Sequence, residues 1–165
     1  MKFFNITYIV LGVIAIFSSN KVNAQISKAE IRATGLTCSM CSNAINKQLK
    51  SLPEVVNVET DLNTNTFVVS LAEGNALTPL IFKQKVEKAG FFIGSLIVTV
   101  DSETVMKNPY IIVKDSGNKP KQIQVQVLDK GFVTEKEFKK LVKSYKSVAT
   151  FISNNEDDFH VKILN

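Results

Sequence analysis

The chain has no tryptophan, a single histidine (His160) and two cysteines, Cys38 and Cys41. A histidine-rich metal site and a catalytic histidine pair are therefore both excluded. Any metal centre must be built from sulfur, carboxylate or backbone oxygen. Two cysteines in an exported chain usually form one disulfide. Here they are too close in sequence for a bridge to stabilise much, because loop-closure stabilisation grows with loop length. The pair is better explained by chemistry than by stapling.

The N-terminus reads as a leader. Lys2 is followed by an apolar run, Phe3 to Phe17, and then by Val22–Asn23–Ala24, with small residues at the positions a signal peptidase reads. Residues 1–24 are expected to be a signal peptide, leaving a chain that begins at Gln25. The run is short for a bilayer span and contains Asn5 and Thr7. No membrane span is expected once it is removed. No cysteine follows the cleavage point, which argues against a lipid anchor. The expected location is the periplasm or the extracellular space.

Residues 27–100 carry alternating strand and helix patterns. Ala29, Ile31 and Ala33 alternate with charged and polar residues, as in a half-buried strand. A Gly-containing loop follows. Ile45, Leu49 and Leu52 then share one helical face, with Asn46, Lys47 and Lys50 opposite, up to Pro53. Val56 and Val58 open a second strand, Asn63–Thr64–Asn65 a turn, and Phe67, Val69 and Leu71 a third strand. Thr78–Pro79 starts a helix buried through Phe82, Val86 and Ala89 and stopped by Gly90. Phe91 to Val100 is a fourth strand. The order β-α-β-β-α-β is the ferredoxin-like arrangement of an α+β fold.

Residues 107–165 read as a separate small β-rich unit with one helix. Strands are expected at 110–113 and 123–127, the second alternating with Gln122, Gln124 and Gln126. Asp129–Lys130–Gly131 is a turn. Thr134 and Glu137 form a capping box for a helix burying Phe138, Leu141, Val142 and Tyr145. Val148–Ile152 and Phe159–Ile163 are expected to close the unit as a hairpin around Asn154–Asn155. From Lys107 to Lys146 there are ten lysines against four acids. Lys136, Lys139, Lys140, Lys143 and Lys146 are read as the solvated face of the helix, with no nucleic-acid partner. His160 is expected at the surface, and not as a metal ligand.

Cys38 falls in the loop leaving the first strand and Cys41 in the first turn of the helix. Free N–H groups and the helix dipole favour anions there, so both thiols are expected to ionise more readily than usual. Two intervening residues let both sulfurs face one ion. Soft thiolates select Cu(I), Hg(II) or Zn(II). Structural zinc wants four ligands, and only one pair exists here.

Gly35–Leu36–Thr37–Cys38–Ser39–Met40–Cys41, with Ile45 and Leu49 behind it, resembles the heavy-metal-associated domain family. That family includes copper chaperones, modules of copper-pumping ATPases and a periplasmic mercury-binding protein. Val55, Val58 and Lys88–Ala89–Gly90–Phe91 also stand where the family pattern has their counterparts. The resemblance implies a non-enzymatic protein that binds Cu(I) through Cys38 and Cys41 and transfers or sequesters it. Its implied partner is a metal donor or acceptor such as a copper ATPase, with the chain monomeric or bridged into a dimer by metal. Leu36 replaces the usual Met and is expected to pack inward. Phe91 and Phe92 stand where chaperones often carry Tyr, His or Lys, and offer no ligand. Met40 is read as exposed. Two other classes stay open: a thiol–disulfide redox protein, suggested by a Cys-x-x-Cys at a helix start, and a metal-dependent interaction or sensor module.

Overall fold

The computed structural model describes residues 26–106, 109–115, 117, 120–153, 155 and 158–164. The leader (1–24), Lys107, Asn108, Lys119 and Asn154 lie outside the described residues. The elements run β1 (Ile26–Thr34), α1 (Ser39–Lys50), β2 (Val55–Asp61), β3 (Thr66–Leu71), α2 (Pro79–Lys88) and β4 (Phe92–Asp101). They continue as α3 (Ser102–Val105), β5 (Tyr110–Lys114), β6 (Gln122–Val127), α4 (Glu135–Ser144), α5 (Ala149–Ser153) and β7 (Phe159–Ile163). The first six give the ferredoxin-like order read from the sequence.

All the strands join one seven-stranded sheet of order β2-β3-β1-β4-β6-β7-β5. The junction is β4–β6, antiparallel, with Val98 opposite Val125 and Val100 opposite Ile123. Residues 122–127 therefore extend the sheet of the first unit along its β4 edge. Among the described strand pairs, β5–β7 is the parallel one.

One face of the sheet carries a continuous core. Ala29 and Ile31 of β1, Phe67 and Val69 of β3, Leu96, Val98 and Val100 of β4, and Val125 and Val127 of β6 are buried there. Against it α1 turns Ile45 and Leu49, and α2 turns Phe82 and Val86, all with no exposed surface. Burying each such side chain contributes roughly 1.5–3 kcal/mol. α2 also meets the later part of the chain: Lys83 Nζ lies 5.7 Å from the centre of the Phe132 ring.

The second half departs from expectation in two places. Residues 149–153 form the short helix α5, not the first strand of a closing hairpin. β7 is already paired on both sides, to β6 and to β5, so no free edge is left for another strand. Phe151 is instead buried as the hub of an aromatic cluster, 5.6 Å from Phe138, 5.7 Å from Tyr145 and 5.1 Å from the His160 ring. α4 begins as its capping box predicts, with Glu137 N–H donating to Thr134 Oγ1 at 3.3 Å. Its apolar residues are only half-buried, because the helix leans on Phe151 and does not seal a core of its own. Lys136, Lys139, Lys140, Lys143 and Lys146 are exposed, as a solvated face should be. No helix among the described residues is long and apolar enough to cross a membrane.

Candidate metal centre

The thiol pair sits where the chain leaves β1. Gly35 adopts φ +87°, which a side chain would strain, and this lets the strand turn outward into the loop. Leu36 tucks against the core, as read from the sequence. Cys38 occupies the N-cap of α1 in extended conformation, and its carbonyl accepts a hydrogen bond from Cys41 N–H at 3.1 Å. That turn brings the two sulfurs to the same side, 2.8 Å apart. Both cysteines are free thiols, Cys38 exposed and Cys41 half-buried.

The Cys41 thiol is held below its ordinary pKa. The main cause is the hydrogen bond from the Cys38 thiol, helped by the Thr37 backbone, with slight burial opposing. The geometry thus offers a solvent-facing pair of soft donors, one of them biased toward thiolate. Among the described residues no group of three or more His, Cys, Asp and Glu side chains converges as a metal cage. Of those side-chain types, the two cysteine sulfurs are the donors at this site. Two thiolates are a donor set that a soft ion of low coordination number accepts, once the sulfurs spread from 2.8 Å to flank it, and the set falls short of what structural zinc requires.

The loops beside the thiols hold them in place. Ala33 N–H donates to Asn65 O at 3.0 Å, tying β1 to the β2–β3 turn, where Asn65 takes φ 54°. Asp61 closes that turn by accepting from Asn63 N–H and Thr64 Oγ1, both at 2.8 Å. Thr34 Oγ1 donates to Phe92 O at 3.3 Å, tying β1 to β4. Gly94 keeps this corner tight: a Cβ there would lie 2.6 Å from Thr34 Cγ2. Phe91 packs against the core, whereas Phe92 is 68% exposed and Met40 79% exposed.

His160 corrects the sequence reading. It is fully buried, not a surface residue. Its Nδ1 lies 2.7 Å from Asp129 Oδ1, its main-chain N–H donates to Asp129 Oδ2 at 2.7 Å, and its Nε2 lies 2.9 Å from Thr150 Oγ1. A carboxylate only accepts, so Nδ1 carries a proton toward Asp129, and the Thr150 hydroxyl serves Nε2. Burial pushes the Asp129 carboxyl up in pKa, and the His160 bonds oppose that push. The bonding order is that of an acid–imidazole–hydroxyl triad. The imidazole is nevertheless sealed beneath Phe151, with no surface from which to hand a proton to a leaving group. The cluster pins α5 and the 128–132 turn onto β7. His160 lies between Phe159 and Val161 of β7, and the sequence was read as leaving it at the surface. Nothing in the local sequence signals that α5 returns to cover it.

Residues 30–92 match the heavy-metal-associated domain family model. No curated protein sequence matches the chain. Among solved structures, the chain is similar to the yeast copper transporter domain Ccc2a, studied in apo and Cu(I)-loaded states. That match is 34% identical, covers 39% of this chain and 86% of that one, and has a TM-score of 0.36. It is also similar to a copper-binding domain of the P-type ATPase HMA7, at 30% identity, 39% and 85% coverage and a TM-score of 0.36. A third is the N-terminal domain of a potential copper-translocating P-type ATPase from Bacillus subtilis in the Cu(I)-loaded state, at 28% identity, 41% and 82% coverage and a TM-score of 0.36. Through residues 30–92, the chain belongs to the heavy-metal-associated domain family.

Proposed function

We propose that this chain is an exported, non-enzymatic protein that binds one Cu(I) between Cys38 Sγ and Cys41 Sγ and transfers or sequesters it. The observation that carries the reading is the pair of free, solvent-facing sulfurs 2.8 Å apart at the start of a helix. Cu(I) is the cargo, held by ligand exchange, so no bond-making machinery is required. Hg(II) accepts the same two-thiolate donor set, and Zn(II) would need donors from outside the chain. The names of the similar structures, copper transporter domain and copper-translocating ATPase, support copper and an ATPase-type partner. In this reading residues 1–24 are the export signal, 27–100 the metal domain and 107–165 an appended unit that shares its sheet.

Cu(I) titration against a competing chelator under reducing conditions tests the proposal. One Cu(I) per chain is expected, with tight binding lost in Cys38→Ser. Another stoichiometry, or binding indifferent to that substitution, overturns it.

The same short contact favours thiol–disulfide exchange as a second reading. The two sulfurs lie within easy reach of a bond, and Cys41 is biased toward the nucleophilic thiolate. Turnover in a disulfide-reduction assay would move that reading ahead. Oxidation that merely blocks copper uptake would leave the first in place.

A further inference from the structure

A glycine stands inside β4 where the backbone does not demand one. Gly35, Gly74, Gly90, Gly117 and Gly131 take positive φ, and Gly94 is not among them. Glycine weakens a strand, so one retained there often marks a bulge or a close approach of another part of the chain. Gly94 shows both. Arg32 faces Ser95 and Ala33 faces Ile93, which makes Gly94 the extra residue of a β-bulge in the β1–β4 ladder. A Cβ on Gly94 would lie 2.6 Å from Thr34 Cγ2, 3.4 Å from the Arg32 carbonyl oxygen and 3.7 Å from Thr134 Cγ2.

The bulge sits at the thiol end of β1. Thr34 is the last residue of that strand, and only Gly35, Leu36 and Thr37 separate it from Cys38. A bulge bends its strand and re-aims the neighbouring chain. Thr34 holds the bend with both branches of its side chain. Its Oγ1 donates to Phe92 O at 3.3 Å, and its Cγ2 takes the space that a side chain on Gly94 would need. A β-branched side chain is stiff about χ1, so turning the methyl away also carries the hydroxyl off its acceptor. The appended unit closes the same corner. β6 pairs with Leu96–Asp101 of β4, and beyond its end Val133 bridges to Ser95 while Thr134 borders Gly94. These ties run to β4 and are separate from the bonds that His160 makes.

Resting on the copper reading above, we infer that Gly94 is a positioning residue for the metal site. Its missing side chain seats Thr34 across the bulge, and the seated Thr34 aims the chain leaving β1 so that Cys38 meets Cys41 at the start of α1. A methyl at position 94 must displace Thr34, because the Arg32 carbonyl and Thr134 border the same point. The thiol loop then leaves β1 along another line. Sulfurs that are no longer preorganised must be ordered by the metal, which lowers affinity. Gly94 itself offers copper no donor.

Cu(I) competition titration, amide hydrogen exchange of the metal-free protein and urea unfolding on the full chain test this. Gly94→Ala should lower Cu(I) affinity about tenfold or more and speed exchange at residues 35–38. Adding Thr34→Ser keeps the hydroxyl and removes the crowding methyl, and should restore affinity to within about threefold of the parent. Val98→Ala, at a fully buried position of the same strand, is the control: it should lower the urea midpoint and leave affinity within about threefold. Thr34→Ala adds no bulk and loses both contacts, so it decides the matter should Gly94→Ala not fold; about a fivefold loss of affinity is expected. Parent affinity and exchange in Gly94→Ala or Thr34→Ala, a double variant no better than Gly94→Ala, or an equal loss in Val98→Ala overturns the positioning role while copper binding stands. A parent chain that takes up no Cu(I) overturns the functional reading, and the inference with it.

Discussion

The molecule contains two short side-chain pairs, and they differ in everything but length. Cys38 and Cys41 lie 2.8 Å apart at the surface, and Asp129 and His160 lie 2.7 Å apart in the interior. The first pair is open to solvent, and no third His, Cys, Asp or Glu side chain converges on it among the described residues. The second is saturated by Thr150 and the His160 main chain, and roofed by Phe151. Exposure decides which pair can exchange a ligand and which can only hold the fold together. A buried polar pair with all its bonds made resists change, and losing one member leaves the other unpaired away from water.

That contrast can be broken at either end. Cys41→Ser should lower Cu(I) affinity by on the order of ten-thousandfold, about 5.5 kcal/mol, with no change in the urea midpoint. Competition titration and equilibrium unfolding check the two halves of that statement. His160→Ala should do the reverse. It leaves the Asp129 carboxylate buried without its partner, at a cost of roughly 3 kcal/mol, while metal affinity stays at the parent value. A folded His160→Ala chain that also binds copper poorly, or a Cys41→Ser chain with a lowered urea midpoint, would show that the two regions are coupled.

Acidification should separate the pairs next. Cu(I) must displace protons from the sulfurs, so affinity falls once pH drops through a thiol pKa, by roughly tenfold per pH unit for each thiol protonated. The lowered Cys41 value means that this loss begins at lower pH than for an ordinary cysteine. Removing the Cys38 hydrogen bond, as in Cys38→Ala, should move the Cys41 titration upward in a thiol-alkylation pH profile. Smallest of all, Thr150→Val should cost about 1 kcal/mol of stability, the worth of one hydrogen bond, and should not touch the metal end.

The two regions also differed in how far the sequence revealed them. The metal end is built from local patterns. Ile45 and Leu49 mark a helix face, Phe67 and Val69 a strand face, and Gly35 and the Cys-x-x-Cys spacing place the loop without reference to distant residues. The later part depends on contacts that no local pattern encodes. The run Val148–Ile152 is apolar enough for a strand, yet β7 has no free edge to receive it, and Phe151 turns it into a helical plug. His160 was expected at the surface, but Phe151 of α5 covers it. The junction of β4 with β6 was equally hidden, because nothing in Leu96–Val100 or Ile123–Val127 says that they pair.

The measurement that bears most directly on the thiol pair is X-ray absorption at the copper edge of the Cu(I)-loaded full chain. Two sulfur neighbours and no nitrogen or oxygen shell are expected, and the signal should collapse in the Cys38→Ser/Cys41→Ser double variant. A nitrogen shell, or a spectrum that survives the loss of both thiols, would contradict the assignment of the site.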